Sequence, residues 1–331
     1  MRRTILFSLI LGIVSFGVAA PPDNDPSAIK LFKPLPASFQ SALNPASKVK
    51  VDLGRALFYD KRLSKANDVS CNSCHDLNTY GVDNQATSTG FQQQKGGRNS
   101  PTVYNAAGHF VQFWDGRAAD VEAQAKGPVM NPVEMAMDAE KEVVARLNSI
   151  PGYVAMFKAA FPKQADPVSF DNMAIAIGSF ERGLVTPSRW DKYLAGDKTA
   201  LTEPERAGFK LFVDGGCAGC HSGTLVGGSM YQKVGLVKPW DNQKDPGRYG
   251  VTKADSDKMF FKVPSLRNIA KTAPYFHDGS VTSLNNAVKY MSVHQCSTSL
   301  TDDEVKSVVT WLNSLTGDIP MAYIKAPPIL N

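Results

Sequence analysis

Apolar residues recur at helical spacing in several stretches of this chain, and long segments without periodicity separate them. Spacings of three and four residues between apolar positions indicate amphipathic helices. The last stretch begins with Thr301 and Glu304, which have the spacing of a helix capping box. No stretch alternates convincingly between polar and apolar residues, so we expect no strands. The pattern predicts a mainly α fold with helices over residues 49–59, 139–149, 152–161, 170–185, 203–213, 283–291 and 302–315.

The two longest segments without periodicity, residues 76–120 and 222–280, are rich in glycine and polar residues. A loop of this length inside a compact domain is usually functional or disordered. Because Phe113 and Trp114 lie in the first segment, we expect it to be a functional loop. Residues 186–198 are interpreted as an inter-domain link, and residues 21–47 as an extended arm.

Each half of the chain contains a helix followed by the pattern Cys-x-x-Cys-His. This pattern attaches c-type haem, because two thiols at this spacing reach the vinyl groups on one porphyrin edge and the adjacent histidine reaches the iron. A zinc ribbon would pair its Cys-x-x-Cys units at about 15–20 residues, and a redox dithiol would not require the histidine. We therefore predict two cytochrome-c-like domains, each with one covalently bound c-type haem, held by Cys71, Cys74 and His75 and by Cys217, Cys220 and His221.

The length of 331 residues is sufficient for two hydrophobic cores. We place the N-terminal haem domain at residues 21–187 and the C-terminal haem domain at residues 188–331. The formal net charge of +5 does not indicate a nucleic-acid partner. Of the five cysteines, Cys296 lies outside both motifs and is either a buried apolar residue or an exposed thiol.

The first twenty residues have the organisation of a secretory signal peptide. Arg2 and Arg3 precede an apolar run, and small residues at Ala19 and Ala20 offer a cleavage site. The run is short for a membrane span, so residues 1–20 are predicted to be removed. The mature chain is then expected to lie in the periplasm, where c-type haem is attached, and to have no membrane span.

Four further blocks carry a resemblance to the bacterial dihaem cytochrome c peroxidases: residues 97–103, 112–118, 124–128 and 272–279. The resemblance runs over nearly all of the mature chain. It implies an enzyme that reduces hydrogen peroxide to two waters with two electrons and two protons. It also implies a small c-type cytochrome or cupredoxin as electron donor, a homodimer, and a bound calcium ion. The C-terminal haem would accept electrons at high potential, and the N-terminal haem would cleave peroxide at low potential.

The resemblance also implies roles for single residues. Glu134 matches the distal acid–base carboxylate, Gln124 the distal amide that positions peroxide, and Trp114 the tryptophan between the haems. Met291 matches the sixth ligand of the C-terminal haem, with His294 as a competing ligand. The calcium site would be formed by Asn99, Thr272 and Pro274.

One position departs from the resemblance. The family has a histidine that closes the oxidised peroxidatic haem, but this chain has Phe91 there, which cannot ligate iron. We therefore expect an open N-terminal haem that needs no reductive activation, unless His109 or Lys95 replaces the missing ligand. By default His109 has a structural or surface role, and His277 is interpreted as support for the C-terminal haem.

Three other functions stay open from the sequence alone. The chain could be a dihaem electron carrier without peroxidase activity, which Glu134, Gln124 and Trp114 argue against. It could oxidise a partner protein, as maturation enzymes of the same superfamily do. Those relatives have a tyrosine where this chain has Met291. A binding module without haem would require both motifs to be accidental.

Overall fold

A computed structural model of the chain describes residues 27–331. The proposed signal peptide at residues 1–20 lies outside the described residues. The prediction of a mainly α fold is confirmed. The longer helices are α1 (Lys48–Tyr59), α3 (Val121–Met130), α4 (Glu140–Asn148), α5 (Pro151–Ala160), α6 (Phe170–Glu181), α8 (Glu203–Asp214), α10 (Leu284–His294) and α11 (Asp302–Asn313), and the short ones are α2 (Cys71–Cys74), α7 (Arg189–Leu194), α9 (Tyr249–Thr252) and α12 (Met321–Ile324).

All seven helices predicted from periodicity are present, with ends that differ by a few residues. The predicted capping box is also present. The backbone N–H of Thr301 donates to Glu304 Oε2 at 2.8 Å, and the Glu304 N–H donates back to Thr301 Oγ1 at 3.3 Å. These reciprocal bonds satisfy two donors that the first turn of α11 would otherwise leave unpaired.

Two apolar cores divide the helices between them. The first contains residues of α1, α3, α4, α5 and α6, and the second contains residues of α7, α8 and α11. Each end of the described chain packs in the core of the opposite half: Phe32 lies in the second core, and Ile324 lies in the first. The two halves are therefore joined by apolar packing at both ends of the described chain.

A glycine allows the main helices of each core to approach closely. A Cβ built on Gly54 of α1 would lie 1.8 Å from the carbonyl oxygen of Ala176 on α6, and one built on Gly208 of α8 would lie 2.0 Å from that of Ser307 on α11. No other residue type fits at either crossing without displacing backbone. The α1–α6 and α8–α11 pairs are thus equivalent, as two copies of one haem-binding fold require.

Three sequence interpretations need correction. The expectation of no strands is wrong, because β1 (Tyr231–Lys233) pairs antiparallel with β2 (Phe260–Lys262). The interpretation of residues 186–198 as a link is also wrong, since α7 lies there and Trp190 is fully buried in the second core. Helix α3 was missed because Pro128 and Gly127 interrupt its apolar pattern, although Asp120 caps its first turn.

The long loops of the two halves are bound to each other. Arg98 donates to Asp245 through Nε at 2.6 Å and Nη2 at 2.8 Å, and to Asp115 through Nη1 at 2.6 Å. Asp115 is buried and Arg98 is largely so. Paired buried charges of this kind fix geometry more than they add stability. Among residues 27–331, no helix has the length and apolar character to cross a membrane.

Two candidate haem cavities and the wall between them

The first cysteine motif borders a cavity of about 440 Å³ in the N-terminal half. Cys71 and Cys74 begin and end the single-turn helix α2, so that both thiols face this cavity. His75 follows directly, and its Nδ1 lies 3.4 Å from the carbonyl oxygen of Gly81. A proton on Nδ1 satisfies that carbonyl and leaves Nε2 as a neutral ligand, which is the usual arrangement of a metal-binding histidine.

The second motif repeats this arrangement around a cavity of about 480 Å³. Cys217, Cys220 and His221 all border it, and His221 Nδ1 lies 3.4 Å from the carbonyl oxygen of Val226. Burial lowers the pKa of His221 to about 4 and also lowers that of His75. Both imidazoles are therefore neutral at pH 7, the form that ligates iron.

A shared wall separates the two cavities, whereas the motif cysteines each border one cavity only. The wall residues border both cavities and are Asn99, Pro101, Thr102, His109, Trp114 and Lys262. Trp114 is held from both sides: its Nε1 donates to the carbonyl of Asn99 at 2.9 Å, and its own carbonyl accepts from the Lys262 N–H at 2.7 Å. The indole predicted to lie between the haems is thus fixed between the two cavities.

A buried cation in this wall fits the propionate groups of haem. Lys262 is buried, and its Nζ lies 3.0 Å from Nδ1 of His109, whose Nε2 has no partner among the described residues. Burial lowers the pKa of Lys262 to about 7. The charge of Asp115 offsets this effect only in part. A buried ammonium is costly without a close counter-charge, which haem carboxylates would provide. His109 is half-buried in this wall, where it contacts Lys262.

Carboxyl and amide groups border the first cavity. Glu134 lies in the turn after α3, where Asn131 Nδ2 donates to its Oε1 at 2.7 Å. Burial raises the pKa of Glu134, although Arg117 and this hydrogen bond act in the opposite direction. Gln124 reaches the same cavity from α3. The structure therefore places Glu134, Gln124 and His75 at the border of one cavity.

The second cavity has a different lining. Met291 on α10 borders it, together with apolar side chains such as Leu266 and Val288. His294, the competing ligand, is not among the residues that border this cavity. Its Nδ1 faces the carbonyl oxygens of Lys238 and Pro239 at 2.9 and 3.1 Å. The geometry favours Met291 over His294 as the side chain available to an iron in this cavity.

Comparison with known proteins agrees with this arrangement. The family profile described as di-haem cytochrome c peroxidase matches residues 48–199, and the cytochrome c profile matches residues 205–316. The chain is 48% identical over 299 residues to the cytochrome c551 peroxidase of Pseudomonas aeruginosa, which covers 88% of this chain and 86% of that protein. The chain belongs to the di-haem cytochrome c peroxidase family.

Two further relatives extend the comparison. The cytochrome c551 peroxidase of Nitrosomonas europaea is 44% identical, over 97% of this chain and 93% of its own length. The crystal structure of a MauG-like protein associated with microbial copper homeostasis superposes with a TM-score of 0.75 at 31% identity, over 89% of this chain and 96% of that one. The enzyme is accordingly an oxidoreductase that acts on hydrogen peroxide, with two cytochrome-c-related domains and two c-type haems.

The residues predicted to bind calcium all border the second cavity of the enzyme. Asn99 borders both cavities, and Thr272 and Pro274 border the second. The Asn99 side-chain amide donates to the carbonyl oxygen of Gln85 at 3.0 Å, which leaves its Oδ1 free to bind a cation. Neutral amide and carbonyl oxygens suit Ca²⁺, so the donor set fits the ion.

Phe91 does not border the first cavity. Its backbone N–H donates to the carbonyl of Glu134 at 2.8 Å, and the Lys65 ammonium lies 5.9 Å from its ring centroid. A Cβ on the preceding Gly90 would lie 2.2 Å from the carbonyl oxygen of Val133, so this loop is packed tightly against the turn that carries Glu134. Lys95, one proposed substitute ligand, is exposed and donates to Thr89 Oγ1 at 2.5 Å.

Several further side chains border the two cavities. His277 is buried at the edge of the second cavity and stacks on Phe261 with ring centroids 4.2 Å apart. The thiol of Cys296 borders the same cavity and contacts that of Cys217. Lys262 borders both cavities and Glu181 borders the first, but both lie outside every recognised motif and could not be singled out from the sequence.

Proposed function

We propose that hydrogen peroxide is reduced in the N-terminal cavity and that electrons arrive through the C-terminal cavity. The observation that carries this proposal is the different lining of the two cavities. Glu134 and Gln124 border the first, and O–O cleavage needs groups that move protons. Met291 borders the second, and thioether ligation raises the potential of a c-type haem, as an electron acceptor requires.

In this proposal the two bound haems supply the iron chemistry and deliver the electrons. Glu134 takes a proton from the inner oxygen of peroxide and returns it to the outer oxygen. Its raised pKa brings the carboxyl closer to the working pH, which improves transfer in both directions. Gln124 orients peroxide by hydrogen bonding, so that the outer oxygen lies within reach of Glu134.

Electrons would cross the shared wall at Trp114. Trp114 borders both cavities; its indole Nε1 donates to the carbonyl of Asn99, and its main-chain carbonyl accepts from the Lys262 N–H. The C-terminal haem, with His221 and Met291 as ligands, is the high-potential centre in this proposal. The N-terminal haem, with His75 alone, is the low-potential one.

The surroundings of the enzyme belong to the same proposal. Residues 1–20 indicate export, so we place the enzyme in the periplasm, with a small c-type cytochrome or cupredoxin as donor. A calcium ion would bind at Asn99, Thr272 and Pro274, where the two halves meet. We also propose that the enzyme is a homodimer, with an N-terminal domain at residues 21–187 and a C-terminal domain at residues 188–331.

We further propose that the oxidised enzyme is already active. Phe91 stands where the family has a closing histidine, and its ring is turned toward Lys65 rather than into the cavity. A site without a closing ligand needs no switch between two states. His109 is the remaining candidate for a replacement ligand, because it borders the first cavity.

The test compares the fully oxidised enzyme with the enzyme reduced by one electron, both with calcium. The ferric spin state and peroxide turnover are recorded before and after reduction. We expect a high-spin N-terminal haem and immediate turnover in both forms. A low-spin haem that turns over only after reduction would show that another residue closes the site. No turnover in either form would overturn the assignment of the cavity.

A further inference from the structure

Helices α6 and α11 occupy equivalent places in the two halves, and their residues can be matched through the glycine contacts. Ala176 and Ser307 supply the carbonyl groups that meet Gly54 and Gly208. One residue further along, Ile177 and Val308 border the first and second cavities respectively. One helical turn later, the matching positions are Glu181 and Leu312, and each again borders its own cavity.

The residues between them support the same match. Phe180 and Trp311 both have no solvent exposure and pack in the centres of the two cores. Glu181 is 4% exposed and Leu312 is 3% exposed. The N-terminal cavity therefore has a carboxyl group where the C-terminal cavity has an isobutyl group.

The neighbours of Glu181 leave its carboxyl group without a partner. Arg182 donates to Glu122 through Nε at 2.8 Å and Nη2 at 2.7 Å, and Asn44 Nδ2 donates to Glu122 at 2.8 Å. These donors are thus used by the carboxylate of α3. Within the described chain, the Glu181 carboxyl has no hydrogen-bond partner, and the group borders the cavity.

The charges around Glu181 favour its protonated form. Glu122 on α3 repels a second negative charge and Arg182 on α6 opposes that effect, while Glu181 in turn raises the pKa of the Cys71 thiol on α2. Burial is the largest cause, and together these groups raise the pKa of Glu181 to about 8. A buried carboxyl that is neutral at pH 7 can donate a proton, as a catalytic acid must.

We propose that Glu181 is a second acid of the peroxide cavity and supplies one of the protons that the reaction consumes. Reduction of one H₂O₂ by two electrons takes up two protons and forms two waters. Glu134 only moves a proton between the two oxygens, so both consumed protons must come from elsewhere. The charges of Glu181 and Glu134 both raise the pKa of the Cys71 thiol, and all three residues border the first cavity. Glu181 gives up its proton there and regains one from solvent.

This inference rests on the proposed function of the N-terminal cavity. Its test uses the dihaem holoenzyme with three substitutions: Glu181→Leu, which copies the second cavity, Glu181→Gln, which keeps size but holds no transferable proton, and Glu181→Asp, which keeps the acid. The exposed Glu142→Gln on α4 is the matched control. Peroxide turnover and the rapid reaction with peroxide are measured between pH 5 and pH 9.

We expect peroxide turnover at pH 7 to be about 10²-fold slower in the Leu and Gln variants. This is the lower end of the rate acceleration that a general acid contributes. Their rates should no longer fall above pH 8, since the group whose deprotonation causes that fall is gone. The Asp variant should recover part of the rate. Haem content and the potential of the C-terminal haem should stay at wild-type values in all three.

Melting temperature separates this role from a structural one. Because an unpaired carboxyl is costly to bury, Glu181→Leu should melt higher than wild type, and by more at pH 8 than at pH 5. Wild-type rate and pH profile in Glu181→Gln would overturn the inference while leaving the proposed function intact. A lower melting temperature with loss of haem in Glu181→Leu would show a structural role. Absence of turnover in the wild type would instead refute the proposed function.

Discussion

The two haem-binding halves of this enzyme share one frame and differ in what faces the cavity. In each, a helix with a central glycine crosses a later helix, and the proximal histidine faces a backbone carbonyl at 3.4 Å. The first cavity then presents Glu134, Gln124 and Glu181, whereas the second presents Met291 and Leu312.

Under the proposed function, this difference means that the frame sets where a haem binds, while a few side chains set its task. Carboxyl groups in an apolar surrounding have raised pKa values and can exchange protons near neutral pH. A thioether holds no proton but favours reduced iron. Exchanging single side chains between the halves should therefore exchange properties without altering the fold.

The largest effect is expected from Glu134→Gln. The amide keeps the volume but cannot accept a proton, so kcat/KM for peroxide should fall by about 10²–10⁴-fold. In the wild type, kcat/KM should fall as the pH drops through the raised pKa of Glu134, because the base form is then lost. This acid limb should lie above the usual glutamate range and disappear in the variant.

The exposed Glu140→Gln on α4 is the control for this substitution and should match the wild type. Stopped-flow mixing with peroxide is the measurement, since it separates the chemical step from electron supply. Unchanged kcat/KM in Glu134→Gln would remove the carboxyl from the proposed mechanism. Because Glu134 borders the first cavity and Met291 the second, the spectrum of the C-terminal haem should not change.

The next effect concerns the second cavity. Met291→His should replace a thioether by an imidazole and lower the potential of the C-terminal haem by at least about 120 mV, a hundredfold change in its one-electron equilibrium. Turnover with a c-type cytochrome donor should fall accordingly. Direct reaction of the N-terminal haem with peroxide should be unaffected. Spectroelectrochemical titration is the measurement.

The exposed Met321→Leu on α12 serves as control for that titration. A potential unchanged by Met291→His would mean that another side chain ligates this iron. Since His294 is bound to two backbone carbonyls, it would have to leave them first. The titration therefore decides between the two candidate ligands proposed from the sequence.

The sequence was informative where covalent chemistry or periodicity constrains it. The haem motifs locate both cavities, and helical spacing predicts the seven longer helices outside α3. Local patterns could not show that Trp190 is buried in a segment interpreted as a link, because burial depends on what packs there. Nor could local patterns show that Glu181 is buried. A single Glu in a helix is usually a surface residue, and Glu181 is buried only because α6 packs against α1.

Lys262 is a further example. In the sequence it is one basic residue in a segment without periodicity. In the structure, the pairing of β2 with β1 and the hydrogen bond from the Lys262 N–H to the Trp114 carbonyl place it in the shared wall. Its partner His109 is 153 positions away in sequence. Contacts between such distant residues depend on the docking of the two halves, which the local sequence does not encode.

A third substitution, Phe91→His, restores the ligand type that this chain lacks at position 91. In Phe91→His, an imidazole becomes available on the loop that packs against Glu134. We expect the oxidised N-terminal haem to become low-spin, with the open form reduced to about 0.1–10% of the population. Turnover by the oxidised enzyme should fall at least about tenfold and return after one-electron reduction. Electron paramagnetic resonance of the oxidised enzyme is the measurement.

Phe91→Leu is the control for this switch, because it removes the ring without adding a ligand. It should stay high-spin and active. If Phe91→His also stays high-spin, the bond from the residue 91 N–H to Glu134 and the close contact at Gly90 hold the loop away from the iron. The switch would then depend on the packing of the loop as well as on the ligand.

The smallest effect on chemistry, and a direct test of the shared frame, comes from the two crossing glycines. Gly54→Ala and Gly208→Ala each place a methyl group within about 2 Å of a backbone oxygen, so each should lower the free energy of unfolding by roughly 1–3 kcal/mol. Hydrogen exchange should locate the loss in α1 and α6 for the first variant and in α8 and α11 for the second. Gly250→Ala, where a Cβ meets nothing within 4 Å, should match the wild type. Equal loosening of both halves by either variant would mean that the cores unfold as one unit, joined by the crossed chain ends at Phe32 and Ile324.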